Sequence, residues 1–449
     1  MRCLWISRHV PYPMNEGLKV YSAKLSEALA QAGTFVRVLG FGGTDAVPTH
    51  RARMEWIAVP GERRGTVAAL LNRFPLTAAV DSTGAYRELL DQQLRERWDA
   101  IVFDSYGSGW ALDRCKAYRA SSLGSQTVLV HVSHNHEEVL WRSMVKQAEA
   151  GLPRRLALWQ NYYKVRGLER QLLRDVDLVS AITTEDEQAL RAHRHTKHDA
   201  SKSPTGDDAS KSPTGDDALK YTTGDGASKS PTGNTITLTP GYDGSVAPER
   251  VIDAATPRRA VIVGSFHWVV KRENLARFVE YADAKFAAQG IELVVAGDVP
   301  QDLKETLLAS SRATRFEGFV KDLVPFLSQA RIAIVPELIG GGFKLKFLDY
   351  IFGRVPVATV EAAAAGLPAN LRAELITGND FAELTQAIIE HIDQLDRLNH
   401  LQSLAFEQAR TLYRWEDRGL QLQQRIAELQ QARTPSAARS AATTAAASA

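Results

Sequence analysis

The chain predicts an α/β protein of two lobes, each a Rossmann-like, doubly wound parallel sheet, facing an interdomain cleft. Three observations carry that expectation. Its 449 residues are too many for one hydrophobic core and suit two domains of ordinary size. Short apolar runs alternate with helical patterns in both halves, which implies parallel sheets with right-handed crossovers. At 332–359 a buried strand, a three-glycine turn, a helix and another strand follow one another directly. In open α/β sheets such a turn marks the carboxyl edge where ligands bind.

The first strand is expected at 3–7, followed by a Pro/Gly/Asn loop at 10–17. From Leu18 the apolar positions Tyr21, Leu25, Ala28 and Leu29 follow helical spacing, closed by Gly33. Further strands are expected at 35–41, 100–103, 127–131 and 178–183, with helices near 85–97 and 158–173 between them. A nine-residue repeat then fills 200–235: ASKSPTGDD twice, then ALKYTTGDG and ASKSPTGNT. Calcium-binding nonapeptide repeats need paired glycines and a recurring large apolar residue, and these copies have neither. Their Pro, Gly, Ser, Lys and Asp content predicts a solvated, disordered insertion at about 196–235, before a last strand at 235–239.

The second half repeats the scheme, with strands expected at 260–264, 292–297, 315–319, 332–336 and 355–359 and helices at 275–289 and 323–329. A long helical pattern at 398–431 precedes an Ala/Ser/Thr tail with too little apolar bulk to order itself. The expected division is an N-terminal lobe at 1–248, a C-terminal lobe at 249–400, helices at 401–432 and a disordered tail at 433–449.

The chemistry concentrates in GGGFKLKFLDYIFGRVPVAT, at 340–359. Glycines at a strand-to-helix turn let a ligand approach the backbone closely. The exposed N–H groups of a first helical turn attract an anion. Gly340, Gly341, Gly342, Phe343 and Lys344 form the turn; Lys346 adds a second positive charge, and Asp349 offers an acceptor for hydroxyl groups. A phosphate beside a sugar hydroxyl fits this set, so the segment reads as a nucleotide-sugar site. The competing reading is a surface ion pair between Lys346 and Asp349, three residues apart on a helix.

With these residues in place, the chain resembles glycosyltransferase family 4, enzymes of the two-lobed GT-B fold, over nearly all its length except the repeat and the tail. Gly340, Gly342, Lys346, Leu348, Asp349, Gly353, Pro356 and Val357 fill the places of the family's donor-site helix, with Asp349 in place of the usual Glu. The first Glu of the paired-glutamate motif would fall at Gly341. PYPMNEGLKVYSAKLSEALAQAG is similar to the family's N-terminal glycine loop, with Gly17 at the second glycine. His134, Asn135 and Glu137 match a His-Asn-x-Glu segment facing the cleft, and LERQLLRDVDLVSAITTEDEQALR resembles the elements that follow it. VGSFHWVVKRENL is similar to the start of the nucleotide lobe, with Ser265 where many members carry Arg and Lys271 supplying charge instead.

The resemblance implies transfer of a hexose-type sugar from a nucleoside-diphosphate sugar to a glycan or lipid-linked hydroxyl acceptor, with retention and without a metal or other cofactor. It implies His134 and Lys346 as catalytic residues. Gly17, Asn135, Glu137, Lys271, Gly340, Gly341, Gly342, Phe343, Lys344 and Asp349 would then bind substrate. Surface or extracellular polysaccharide assembly is the implied role. The departures at Gly341, Asp349 and Ser265 leave a nucleotide- or glycan-binding homologue without turnover as the alternative.

Composition narrows the other classes. A formal net charge of +2 gives no bulk electrostatic case for nucleic acid. Only Cys3 and Cys115 occur, far apart, so disulfide scaffolds are not expected and a cytoplasmic setting is. Asp175 and Asp177 spell DxD, but at a helix-to-strand junction they read as capping rather than metal binding. His193, His195, His198 and Asp199 cluster before the repeat, but a flexible lead-in is not expected to build a structural nickel or zinc site. Arg63, Arg64, Leu70, Leu71, Arg73 and Phe74 read either as an ordinary helix or as a weak peripheral contact with an anionic membrane. A nucleotide-sugar epimerase or dehydrogenase is disfavoured, because no GxGxxG opens the first strand-helix unit.

Overall fold

The computed structural model describes residues 1–14, 16–43, 52–147, 151–195, 234–338 and 342–433. The predicted insertion up to 233, the predicted tail from 434, and Gly340 and Gly341 of the glycine turn lie outside the described residues.

The N-terminal sheet has seven parallel strands: β1 (Arg2–His9), β2 (Phe35–Phe41), β3 (Met54–Ala58), β4 (Ala100–Asp104), β5 (Val128–Val132), β6 (Leu178–Ala181) and β7 (Thr235–Thr237), in the order β3-β2-β1-β4-β5-β6-β7. The C-terminal sheet has six: β8 (Arg259–Ser265), β9 (Glu292–Asp298), β10 (Thr314–Gly318), β11 (Ile332–Val335), β12 (Val357–Val360) and β13 (Ile376–Gly378), in the order β10-β9-β8-β11-β12-β13. Both begin with the same three-strand reversal, so each lobe has a switch point, between β1 and β4 and between β8 and β11. Binding crevices form there, beyond the carboxyl ends of the strands.

Burial on both faces explains the unbroken apolar runs. On β1, Leu4 and Ile6 enter one core while Cys3 and Trp5 enter the other, the period of two that a pleated strand imposes. β3 and β13 were not anticipated. Both sit at sheet edges, and MEWIA and ITG are too short or too polar to stand out.

The predicted helical run at 398–431 is two helices, Leu395–Leu412 and Trp415–Arg433, because Tyr413 leaves helical geometry (φ −106°, ψ 70°). The first packs into the C-terminal core through Leu398, Ala405 and Ala409. The second crosses back and packs on the N-terminal lobe through Trp415, Leu422 and Ile426. It lies so close to helix Gly17–Gln31 that a Cβ on Gly419 would stand 2.1 Å from the Ala28 carbonyl oxygen. The outgoing and returning chains run side by side, joined by the Tyr242 N–H donating to Tyr413 O (2.9 Å). Arg418 fastens both, donating to Thr239 O and Leu412 O.

Candidate active site

On the C-terminal lobe, Lys346 opens helix Lys346–Phe352, and its Nζ lies 2.7 Å from Glu337 Oε1, just beyond the end of β11. Both side chains are nearly buried, with 12% and 7% of their surface exposed. Lys271, in the first turn of helix Val269–Ala288, and Lys344 complete a cluster of three ammonium groups around one carboxylate. Burial would raise the Glu337 carboxyl, but Lys346, Lys344 and Lys271 hold it below its ordinary range. Burial lowers both Lys271 and Lys344, and Lys346 adds repulsion to each. Asp186 also acts on Lys344, and Glu16 on Lys271, so carboxylates beyond Glu337 share in offsetting the three ammonium groups. Asp349 lies one turn further along the helix; burial pushes its carboxyl up to about 6, with Lys346 opposing.

On the facing lobe, His134 follows β5, and its Nε2 lies 2.7 Å from Asp104 Oδ1 at the end of β4. A carboxylate only accepts, so Nε2 donates to Asp104. Asp104 is buried and also accepts from Ser7 Oγ (2.9 Å). Burial would raise its carboxyl, yet the hydrogen bond from His134 holds it below its usual range. Tyr21 packs edge-on against the imidazole at 5.3 Å.

Asn135 donates to Glu137 Oε1 (3.3 Å), and the Glu137 and Glu138 N–H groups donate to the two carboxylate oxygens of Glu169. Glu169 thus satisfies the orphan donors that open helix Glu137–Gln147. Burial pushes Glu137 up to about 7 and Glu169 up to about 8.

The lobes meet across a pocket of about 140 Å³. Gly17, Tyr21, His134, Asn135 and Ile182 line it from one side, Phe343 and Leu345 from the other, and Pro240 where the chain crosses. The walls come close at two glycines, and only the second leaves no room for a side chain. A Cβ on Gly17 would touch Leu345 Cδ1 at 3.5 Å. Gly342 has φ +72°, and a Cβ there would meet Asn135 Oδ1 at 2.3 Å.

Of the residues the sequence singled out, Gly17, His134, Asn135 and Phe343 line the pocket, and Gly342 stands against Asn135. Lys271, Lys344 and Lys346 form the cationic cluster beside it. Glu137 is buried and accepts from Asn135, and Asp349 is buried one helical turn from Lys346. Sequence reasoning missed Asp104, Glu337 and Glu169. The first two end or follow apolar strand runs, AIVFD and IAIVPE, and a carboxylate at the carboxyl edge of such a strand was the available signal. Asp175 and Asp177 are consumed by structure: Asp175 pairs with Lys116 and Arg174, and Asp177 with Arg119, Arg433 and the Leu129 N–H.

The model of the glycosyl transferase 4-like domain matches residues 16–199, and that of glycosyl transferases group 1 matches residues 257–394, one in each lobe. The chain is a glycosyltransferase of the two-lobed GT-B fold. Solved structures share that fold at low identity. HepE of Anabaena, in complex with UDP and glucose, superposes with a TM-score of 0.57 at 12% identity, over 95% of this chain and 100% of its own. The α,α-trehalose 6-phosphate synthase of Burkholderia multivorans gives 0.57 at 13%, over 96% and 99%. A TarM variant of S. aureus, in complex with fondaparinux, α-GlcNAc-glycerol and UDP, gives 0.58 at 9%, over 96% and 99%. No curated protein sequence matches the chain significantly. Among the described residues, no helix is long and apolar enough to cross a membrane.

Proposed function

We propose that this glycosyltransferase is a retaining member of family 4 that moves a hexose-type sugar from a nucleoside-diphosphate sugar to a hydroxyl of a glycan or lipid-linked acceptor. The observation that carries the reading is the cluster of Lys271, Lys344 and Lys346 around Glu337, next in the chain to Phe343 and Leu345, which face His134 in the pocket. In the transfer the bond from the anomeric carbon to the diphosphate oxygen breaks and a bond to the acceptor oxygen forms. The acceptor's proton leaves with the departing diphosphate. Charge develops on that leaving group, and preorganised cations aimed at developing charge are the largest catalytic contribution such a site can make. Three lysines supply what a divalent ion would otherwise bring, so donor activation is read as metal-independent. Glu337 keeps them ordered and partly neutralised before the donor arrives.

His134, fixed by Asp104, orients a hydroxyl of the sugar. UDP and UDP-glucose accompany HepE in its solved complexes, which makes UDP-sugars the first donors to try. A role in surface or extracellular polysaccharide assembly is part of the proposal; deleting the gene should then alter a surface glycan, and an unchanged glycan profile would remove that part.

A thermal-shift screen of UDP, GDP, ADP and their sugar conjugates, with and without divalent metal, tests the donor. One nucleotide at a hundredfold excess over its Kd should stabilise by about 2.7 kcal/mol. The shift should need no metal and should vanish in Lys346→Ala. A flat response to all of them overturns the reading.

A further inference from the structure

Behind the His134 loop, and outside the donor site, three metal-ligating side chains converge from two helices. His136 immediately precedes helix Glu137–Gln147, Glu138 lies in its first turn, and His193 lies in the last turn of helix Thr184–His195. One ligand atom from each falls within a group spanning no more than 4.8 Å. The two imidazoles meet edge to face, with centroids 4.9 Å apart. His136 is only 8% exposed, and its Nε2 has no hydrogen-bond partner. Buried polar atoms are nearly always satisfied, so an orphaned imidazole nitrogen inside a His-Glu-His group needs an explanation.

We propose that His136, Glu138 and His193 bind a divalent transition-metal ion of the zinc class, with solvent completing its shell. Two imidazoles and one carboxylate suit zinc, cobalt or nickel better than the oxygen-seeking magnesium and calcium. A tetrahedral ion with bonds of about 2.1 Å holds its ligand atoms roughly 3.4 Å apart. Side-chain rotations of about 1 Å would therefore close the group without moving either helix.

Glu138 is already oriented. Arg170 Nε and Nη2 donate to its two oxygens (2.8 and 2.9 Å), and Arg166 Nε lies 3.1 Å from Oε1. Oε2, with one arginine contact, retains a further lone pair, so the arginines can hold the ligand from behind while it binds. They also repel a cation, which favours an ion that bonds strongly to nitrogen over one held by charge alone. The bound ion takes no part in sugar transfer. It would tie the 133–137 turn, which carries His134 and Asn135, to the end of the helix where the repeat-containing segment begins.

The test uses the full chain, stripped with chelator and titrated with Co²⁺ while visible absorption is recorded. One Co²⁺ per chain should bind, with a d–d band that Zn²⁺ displaces, and both ions should raise Tm. His136→Ala and His193→Ala should each weaken binding at least about 100-fold and erase the Tm rise. The double variant His195→Ala/His198→Ala should keep both. Far-UV circular dichroism and the metal-free Tm establish that each variant folds. If His136→Ala does not fold, Glu138→Gln serves, and it should still weaken the band. No band in the parent chain overturns the proposal. So does a band that survives His136→Ala, or Glu138→Gln where that variant serves, and disappears in the His195/His198 double variant.

Discussion

The two walls of the cleft solve opposite electrostatic problems. The C-terminal wall gathers three lysines around Glu337 and holds its carboxyl low through them. The N-terminal wall pairs His134 with Asp104 and holds two further carboxyls, Glu137 and Glu169, near neutrality by burial. One wall is arranged to receive charge, and the other to orient hydrogen bonds. A charged leaving group and an uncharged sugar therefore each meet a surface suited to them. The contrast also predicts that damage to the walls should separate experimentally.

The largest effect should come from Lys346→Ala. Loss of one preorganised cation should reduce kcat/KM by about 10²–10³-fold. It also strands the buried Glu337 carboxylate, so Tm should fall. Adding Glu337→Gln should restore Tm and leave turnover low; recovery of both would mean that the pair is merely structural.

Asp104→Asn should act on the other wall alone. The imidazole loses the acceptor that fixes its tautomer, and kcat should fall by about 10²-fold. The thermal shift with nucleotide should be unchanged. If nucleotide binding falls in step, the walls are not separable.

A third measurement follows stability against pH. The folded state holds Glu137 protonated up to about pH 7, whereas the unfolded chain ionises it near 4.5. Between those values the folded state binds more protons, so stability falls as pH rises, and the loss is complete above about 7. Glu137→Gln should flatten that fall by about 2 kcal/mol in denaturation experiments between pH 5 and 8.

Gly342→Ala should cost least, about 1 kcal/mol for the left-handed backbone, with a several-fold rise in donor KM as Asn135 is displaced. Combining it with Asn135→Ala should remove the steric part of the stability loss and leave only the backbone part.

The same contrast explains what could be read from sequence. Doubly buried strands announce themselves: β1, β2 and β4 are apolar runs because both faces meet a core. The cationic wall was legible too, since Lys344 and Lys346 lie within one turn of chain beside the glycines. The orienting partners were not. Asp104 meets His134 across 30 residues, and Glu337 meets Lys346 across 9. A lone acid at a strand end carries no mark of the partner it will find. The edge strands β3 and β13 escaped because half-exposed, short segments lose the apolar signal.

The returning helix Trp415–Arg433 sets a clock on biosynthesis. Its Gln423 donates to Ala32 O, 391 residues earlier in the chain, and its apolar face closes a flank of the N-terminal core. A ribosome adding 5–20 residues per second needs roughly 20–80 s to cover that interval. Through all of that time Tyr21, Ala28 and Leu29 lack their final cover. The lobe made first is thus the lobe finished last, and it is this lobe, rather than the more self-contained C-terminal one, that depends on protection from aggregation while the chain is being made.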